Sequence, residues 1–165
     1  MKEHSKEYIK KRIRKLEKLI MKDELTGLPN ARYFKYIFPK ELNRVKRFNR
    51  PLSLLVIDVN NFKKINDAKG HLVGDKYIKQ VAEVLYKNIR RYDILCRYGG
   101  DEFVIIFPRT SKEQANIIKE ELKKYVEKLT KVMISVGVSN YKEDGKTLKT
   151  LFNKADKEMY KDKRN

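Results

Sequence analysis

The chain has 165 residues, and 40 lysines plus arginines stand against 22 aspartates plus glutamates, a formal net charge of +18. That length suits one domain with a proper core. A single cysteine excludes an internal disulfide, and no apolar run approaches the ~20 residues that a membrane span needs.

The charge excess suits a polyphosphate, and equally a nucleic acid, an anionic membrane surface or a lysine-rich solvated surface. The lysines are scattered through every expected helix, without a zinc-finger or RNA-recognition signature. The charged N-terminus lacks the apolar core of a signal peptide. Cys96 has apolar neighbours, as a buried thiol in a reducing compartment would. A soluble, cytoplasmic protein without a membrane segment is the expectation, with a longer, membrane-attached parent left open.

In residues 5 to 22, Ile9, Ile13, Leu16 and Ile20 recur at helical spacing. The run is shorter than the three to four heptads of a convincing coiled coil. A linker helix over 1–22, paired or packed on its own domain, fits both ways, with the main domain over 23–165. Leu25-Thr26-Gly27-Leu28-Pro29-Asn30 is a turn. Asn30 then caps a helix through about Arg47, with Phe34, Ile37, Leu42 and Val45 inward and Pro39 a point where it can bend.

Arg50-Pro51 opens a strand, Leu52 to Val59, whose apolar run predicts cover on both faces and whose end carries Asp58. The polar stretch Asn60 to Asp67 holds backbone N–H groups that could meet phosphates at a helix start. Gly70 to Asp75 reads as a loop, with Asp75 capping a helix to about Arg91 that turns Ile78, Val81, Ala82, Leu85 and Ile89 inward. His71 has no second histidine or cysteine nearby and reads as structural.

Ile94-Leu95-Cys96 and Val104-Ile105-Ile106-Phe107 flank Gly99-Gly100, which predicts a hairpin whose glycines supply positive φ. Asp101 and Glu102 sit at its tip. With Asp58 they can converge on a hard divalent cation such as magnesium, which takes carboxylates together with substrate phosphates. Ser111 and Gln114 make a capping box for a helix to about Leu129. Val132 to Ser139 is a further buried strand. Residues 147 to 161 form a last helix, with Leu148, Leu151, Phe152, Ala155, Met159 and Tyr160 inward. The element order is α+β.

Three stretches carry a resemblance. Gly99-Gly100-Asp101-Glu102-Phe103, the run DVNNFKKINDAKGHLVGD from Asp58 to Asp75, and DELTGLPN from Asp23 to Asn30 resemble, in the right order, the motifs of the GGDEF family of diguanylate cyclases. The likeness covers roughly residues 23 to 163. It implies a ferredoxin-like, palm-like nucleotidyl-cyclase domain with a central, mostly antiparallel sheet. It also implies condensation of two GTP molecules into cyclic di-GMP by a homodimer holding one GTP per protomer. Nucleic acid is not an expected partner.

Nucleotidyl transfer needs a metal at the α-phosphate. Asp58 and Asp101 would hold Mg2+ (or Mn2+), with Glu102 and the Val59 carbonyl as further ligands, and Asp101 suited to help deprotonate the 3′-hydroxyl. The resemblance gives Lys63 and the N–H groups of Asn61 and Phe62 to the phosphates, and Lys163 to the triphosphate. On sequence alone each lysine reads equally as a surface charge. Asn66 and Asp75 match the guanine readers, Leu25 and Ile78 the walls of the base pocket, and Arg90 with Asp93 an inhibitory RxxD product site. A helix C-terminus also favours arginines.

Three departures stand out. Asn60 replaces the usual Asp, Glu121 and Lys123 lie where a further product-binding arginine is common, and the chain stops at Lys163-Arg164-Asn165. A catalytically silent sensor of GTP or cyclic di-GMP, and a basic nucleic-acid binder, are the competing readings.

Overall fold

A computed structural model describes residues 7, 8, 12 and 20–164. Of the expected N-terminal seam, Ile9, Ile13 and Leu16 lie outside the described residues, and Ile20 is exposed. The order is α1 (Ala31–Arg47), β1 (Leu52–Val59), α2 (Phe62–Lys69), α3 (His71–Lys87), β2 (Ile94–Arg97), β3 (Glu102–Pro108), α4 (Lys112–Thr130), β4 (Ile134–Asn140) and α5 (Leu148–Asp162). This is the α+β order expected. Among the described residues no helix is long and apolar enough to cross a membrane.

The strands form one antiparallel sheet in the order β2-β3-β1-β4. Side chains alternate across it. Leu55, Ile57, Phe103, Ile105, Val136 and Val138 face α3 and α4, with Ile78, Val81, Leu85, Leu122 and Val126 opposite. Leu54, Val56, Cys96, Val104 and Ile106 face α1 and α5, with Phe34, Phe38, Leu42, Leu151, Ala155 and Met159. Covered on both faces, β1 is buried along its whole length, which explains its unbroken apolar run. Burial pushes the Cys96 thiol up to about 12, an inert side chain of the core.

Local signals set the boundaries. Asn30 accepts from the N–H groups of Arg32 and Tyr33 at the start of α1. Ser111 and Gln114 close a reciprocal capping box on α4, and Thr147 caps α5. Gly137 on β4 lets α5 approach closely: a Cβ there would fall 1.8 Å from the Ala155 carbonyl oxygen.

Several expectations are corrected. α3 begins at His71 rather than at a cap on Asp75, because Gly70 (φ +82°) both ends α2 and opens α3 without an intervening loop. It ends at Lys87, which leaves Arg90 and Arg91 in the connection to β2. Tyr160 points outward, and Val132 and Met133 precede β4. Neither Gly99 nor Gly100 takes positive φ. The loop closes instead with the Tyr98 and Gly99 N–H groups donating to the Glu102 carbonyl at 2.8 and 3.2 Å. A Cβ at Gly99 would lie 2.6 Å from Glu102 Oε2, the movable end of a side chain, so it would oblige Glu102 to shift rather than the backbone.

Candidate active site

Antiparallel pairing places Asp58, near the end of β1, directly opposite Glu102, the first residue of β3. The Val59 N–H donates to the Asp101 carbonyl at 3.0 Å, which holds the hairpin tip against the end of β1. Asp58 and Glu102 thereby face each other across the strand pair, with Asp101 the residue before Glu102. Burial, and then the Asp58 charge, raise Asp101 above the ordinary carboxylate range. Burial raises Glu102, followed by the charges of Asp101, Asp58 and Asp156.

Among the described residues no group of three or more His, Cys, Asp or Glu side chains is arranged so that it could by itself hold a metal ion, so Asp58, Asp101 and Glu102 do not make a ready three-carboxylate site. A hard cation that takes one or two carboxylates and completes its shell with water and substrate phosphate needs no such group of three. Lys163 Nζ meets Asp58 Oδ1 at 2.6 Å. Lys163, which the resemblance gives to a triphosphate, is thus brought to the Asp58 end of the sheet by the end of α5. Asn60 accepts from the Ser135 hydroxyl at 2.6 Å, a neutral contact with a neighbouring strand.

Beyond β1, Asn61 turns the chain in a left-handed conformation with no side-chain cap on α2. The N–H groups at that helix start are therefore uncapped by Asn61, with Phe62 half-buried and Lys63 exposed beside them. Asn66 and Asp75, both half-buried, stand on the paired helices α2 and α3. Gly74 makes their approach possible, because a Cβ there would sit 1.8 Å from Asn66 Oδ1. That oxygen is buried without a hydrogen-bond partner among the described residues. Leu25 packs half-buried against the core beside α3, while Ile78 is fully buried within it.

Arg90, Arg91 and Asp93 line a separate cleft of about 430 Å³ with Leu28, Tyr33 and Tyr86. Asp93 accepts from the Arg90 N–H at 2.8 Å, but its Oδ1 is buried without a partner among the described residues. Burial raises its pKa, only partly offset by Arg90. Lys123, near where a further product-binding arginine is common, is engaged with Asp162 at 2.9 Å.

Sequence reasoning missed one connection. Arg97 donates twice to Asp23 at 3.1 Å and once to the Gly100 carbonyl at 2.7 Å. It ties the DELTGLPN turn to the hairpin. Burial opposes ionisation of Asp23, but bonds from Thr26 and Arg97 outweigh it and hold its pKa below the usual range. The signal available was an acid in the DELTGLPN stretch and a base two residues before Gly99.

Comparison with known proteins identifies the family and the fold. The family model for the diguanylate cyclase GGDEF domain matches residues 20–165. Response regulator PleD of Caulobacter vibrioides is 35% identical over 167 residues, spanning 95% of this chain and 37% of the relative. Diguanylate cyclase DosC of Escherichia coli is 41% identical over 115 residues, spanning 70% and 25%. The chain thus matches only about a quarter to two fifths of these curated relatives. Among solved structures, the coiled coil and GGDEF domain of DgcB from Caulobacter crescentus, in complex with c-di-GMP, superposes with a TM-score of 0.88 at 25% identity, covering 99% of this chain and 91% of that one. Matched by the family model over residues 20–165 and by relatives of 35% identity or more, the chain belongs to the diguanylate cyclase GGDEF domain family.

Proposed function

We propose that the chain condenses two GTP molecules into cyclic di-GMP, with one GTP on each of two facing protomers. The observation that carries this reading is the gathering of Asp58, Asp101 and Glu102 at one end of the sheet, with Asp101 and Glu102 raised by burial and mutual charge. Such a cluster is costly without a cation, and active sites are where that cost is tolerated. Asp58, Asp101, Glu102 and the Val59 carbonyl would hold magnesium, or manganese; the bound cation supplies charge neutralisation at the α-phosphate and acidifies the attacking hydroxyl.

The remaining roles follow from where the side chains stand. The N–H groups of Asn61 and Phe62 cradle phosphate at the uncapped start of α2, with Lys63 beside them. Lys163 exchanges Asp58 for the triphosphate. Asn66 and Asp75 read guanine, and the unpartnered Asn66 oxygen is an acceptor for a guanine N–H; a base that leaves it unpaired is disfavoured. Leu25 lies against the base, with Ile78 backing the wall from the core. Asp101, raised in pKa, is suited to take the 3′-hydroxyl proton. Each 3′-oxygen bonds to the partner nucleotide's α-phosphorus as the bond to the β-phosphate breaks and pyrophosphate leaves. Holding both nucleotides face to face makes two such attacks possible, so activity requires the dimer.

The Arg90–Asp93 cleft suits product. Asp93 offers an unpartnered oxygen to a guanine N–H, and Arg90 a guanidinium to a phosphate. Product bound there would slow the enzyme, with an affinity limited by the engagement of Lys123 elsewhere. Residues 1–22 act as the linker that aligns two domains, and the cytoplasm, where GTP is available, is the fitting location.

The test is cyclic di-GMP formation from GTP and magnesium across a range of protein concentrations. Product that rises more than linearly with protein supports the dimeric cyclase. No product from demonstrably dimeric, GTP-saturated protein overturns it, and retained binding of GTP or cyclic di-GMP would then identify a sensor.

A further inference from the structure

The end of α5 carries two adjacent side chains of opposite charge with different commitments. Lys163, the residue that ends the helix, reaches Asp58. Asp162, the last helical residue, turns to the scaffold. An aspartate there opposes the negative end of the helix dipole, so local preference does not account for it.

Tertiary contacts do. The Asp162 side chain is only 14% exposed. It accepts from Lys119 Nζ at 3.1 Å, from Lys123 Nζ at 3.0 and 2.9 Å, and from the Val136 N–H at 2.9 Å. Burial pushes its pKa up, but these bonds outweigh burial and hold it below the ordinary range. Val136 is on the edge strand β4, paired with Ile57, the residue before Asp58. The carboxylate thus fastens the end of α5 to β4 and α4, one residue from Lys163 in the chain and at a β4 position paired with the residue before Asp58. Helix ends fray, and an ion pair with a lysine 39% exposed holds such an end weakly by itself.

We propose that Asp162 is a positioning residue: by pinning the end of α5 to Lys119, Lys123 and the Val136 N–H, it delivers the Lys163 ammonium to the Asp58 end of the site, and through it the substrate triphosphate. Lys119 and Lys123 serve the same end, because they satisfy Asp162 and leave Lys163 free of its own neighbour. This inference rests on the reading of Lys163 as a phosphate contact.

The experiment is calorimetric binding of a non-hydrolysable GTP analogue with magnesium to the full chain, alongside thermal melts. Lys163→Ala and Asp162→Ala are each expected to weaken binding about tenfold, the scale of one lost charge-assisted contact. The double variant should bind no more weakly than Lys163→Ala alone, because both remove the same contact. Asp162→Asn, which keeps an acceptor for the Val136 N–H, should fall between parent and alanine.

Losses that multiply in the double variant would assign Asp162 an independent structural role and overturn the proposal. Parental binding by Asp162→Ala beside weakened Lys163→Ala would remove the clamp alone. Parental binding by Lys163→Ala would remove the phosphate role of Lys163 and the proposal with it. If Asp162→Ala melts below the assay temperature, the Lys119→Ala/Lys123→Ala pair takes its place in the cycle with the same expectations.

Discussion

Asp58 and Asp162 are about equally buried, with side chains 11% and 14% exposed, yet they belong to opposite kinds of neighbourhood. Around Asp58 stand two more carboxylates, and burial with mutual charge raises both Asp101 and Glu102. Around Asp162 stand two lysines and a backbone N–H. Asp144 repeats the second arrangement, accepting from the Asn140 N–H and from Lys112. The two aspartates bond outward N–H groups of β4, an edge strand that would otherwise offer them to another chain. Burial alone therefore says little about a carboxylate. Asp58 has one lysine, Lys163, and two further carboxylates beside it, whereas Asp162 has two lysines and a backbone N–H.

The largest expected effect breaks the Asp58 side. Asp101→Ala should reduce cyclic di-GMP formation on the order of a thousandfold, as loss of a group acting on transition-state charge does, while its thermal melt stays cooperative. Product formation near the parental rate would place the chemistry elsewhere.

On the frame, Gly137→Ala should destabilise by about 3 kcal/mol, because the new Cβ meets backbone of α5 rather than a movable side chain. Urea unfolding reads this directly, and a variant within error of the parent would mean that α5 can shift without cost. Arg97→Ala should cost about 2 kcal/mol in the same assay, since it strips bonds from Asp23 and the Gly100 carbonyl. A loss of activity larger than that stability change would show that the tie also orders the hairpin.

The smallest effect sharpens the contrast by its sign. Asp101 and Glu102 have raised folded pKa values, so their contribution is fully favourable below about pH 4, near the unfolded values, and is lost as pH rises through the folded ones. Asp23 and Asp162 have lowered values; their stabilisation is present above that range and disappears as pH falls through the folded ones. In metal-free buffer Asp101→Asn should match the parent near pH 3 and exceed it at pH 7, by on the order of 0.5 kcal/mol given partial solvent screening. Melts across that range check it, and a gap that shrinks towards pH 7 would contradict the repulsion.

Much of the fold was legible in the chain because it is written in short-range physics. The uninterrupted apolar run Leu52–Val59, the Asn30 cap and the Ser111–Gln114 box each act within a few residues, and each stands where the pattern put it. Asp58, Asp101 and Glu102 were legible as a group because two strand ends with acidic residues have few ways to pair.

Other features depend on what meets what in space. The Gly99-Gly100 pair predicts a left-handed turn by composition, but neither glycine takes positive φ, and the loop closes through N–H bonds to the Glu102 carbonyl. The α3 boundary moved to His71 because one glycine joins two helices that pack on each other. Local sequence determined the elements, the caps and the inventory of charges. Only tertiary structure decided which charges pair: Lys163 meets Asp58, Arg97 meets Asp23 and Asp162 meets Lys119 and Lys123 across separations that no periodicity or motif spacing encodes.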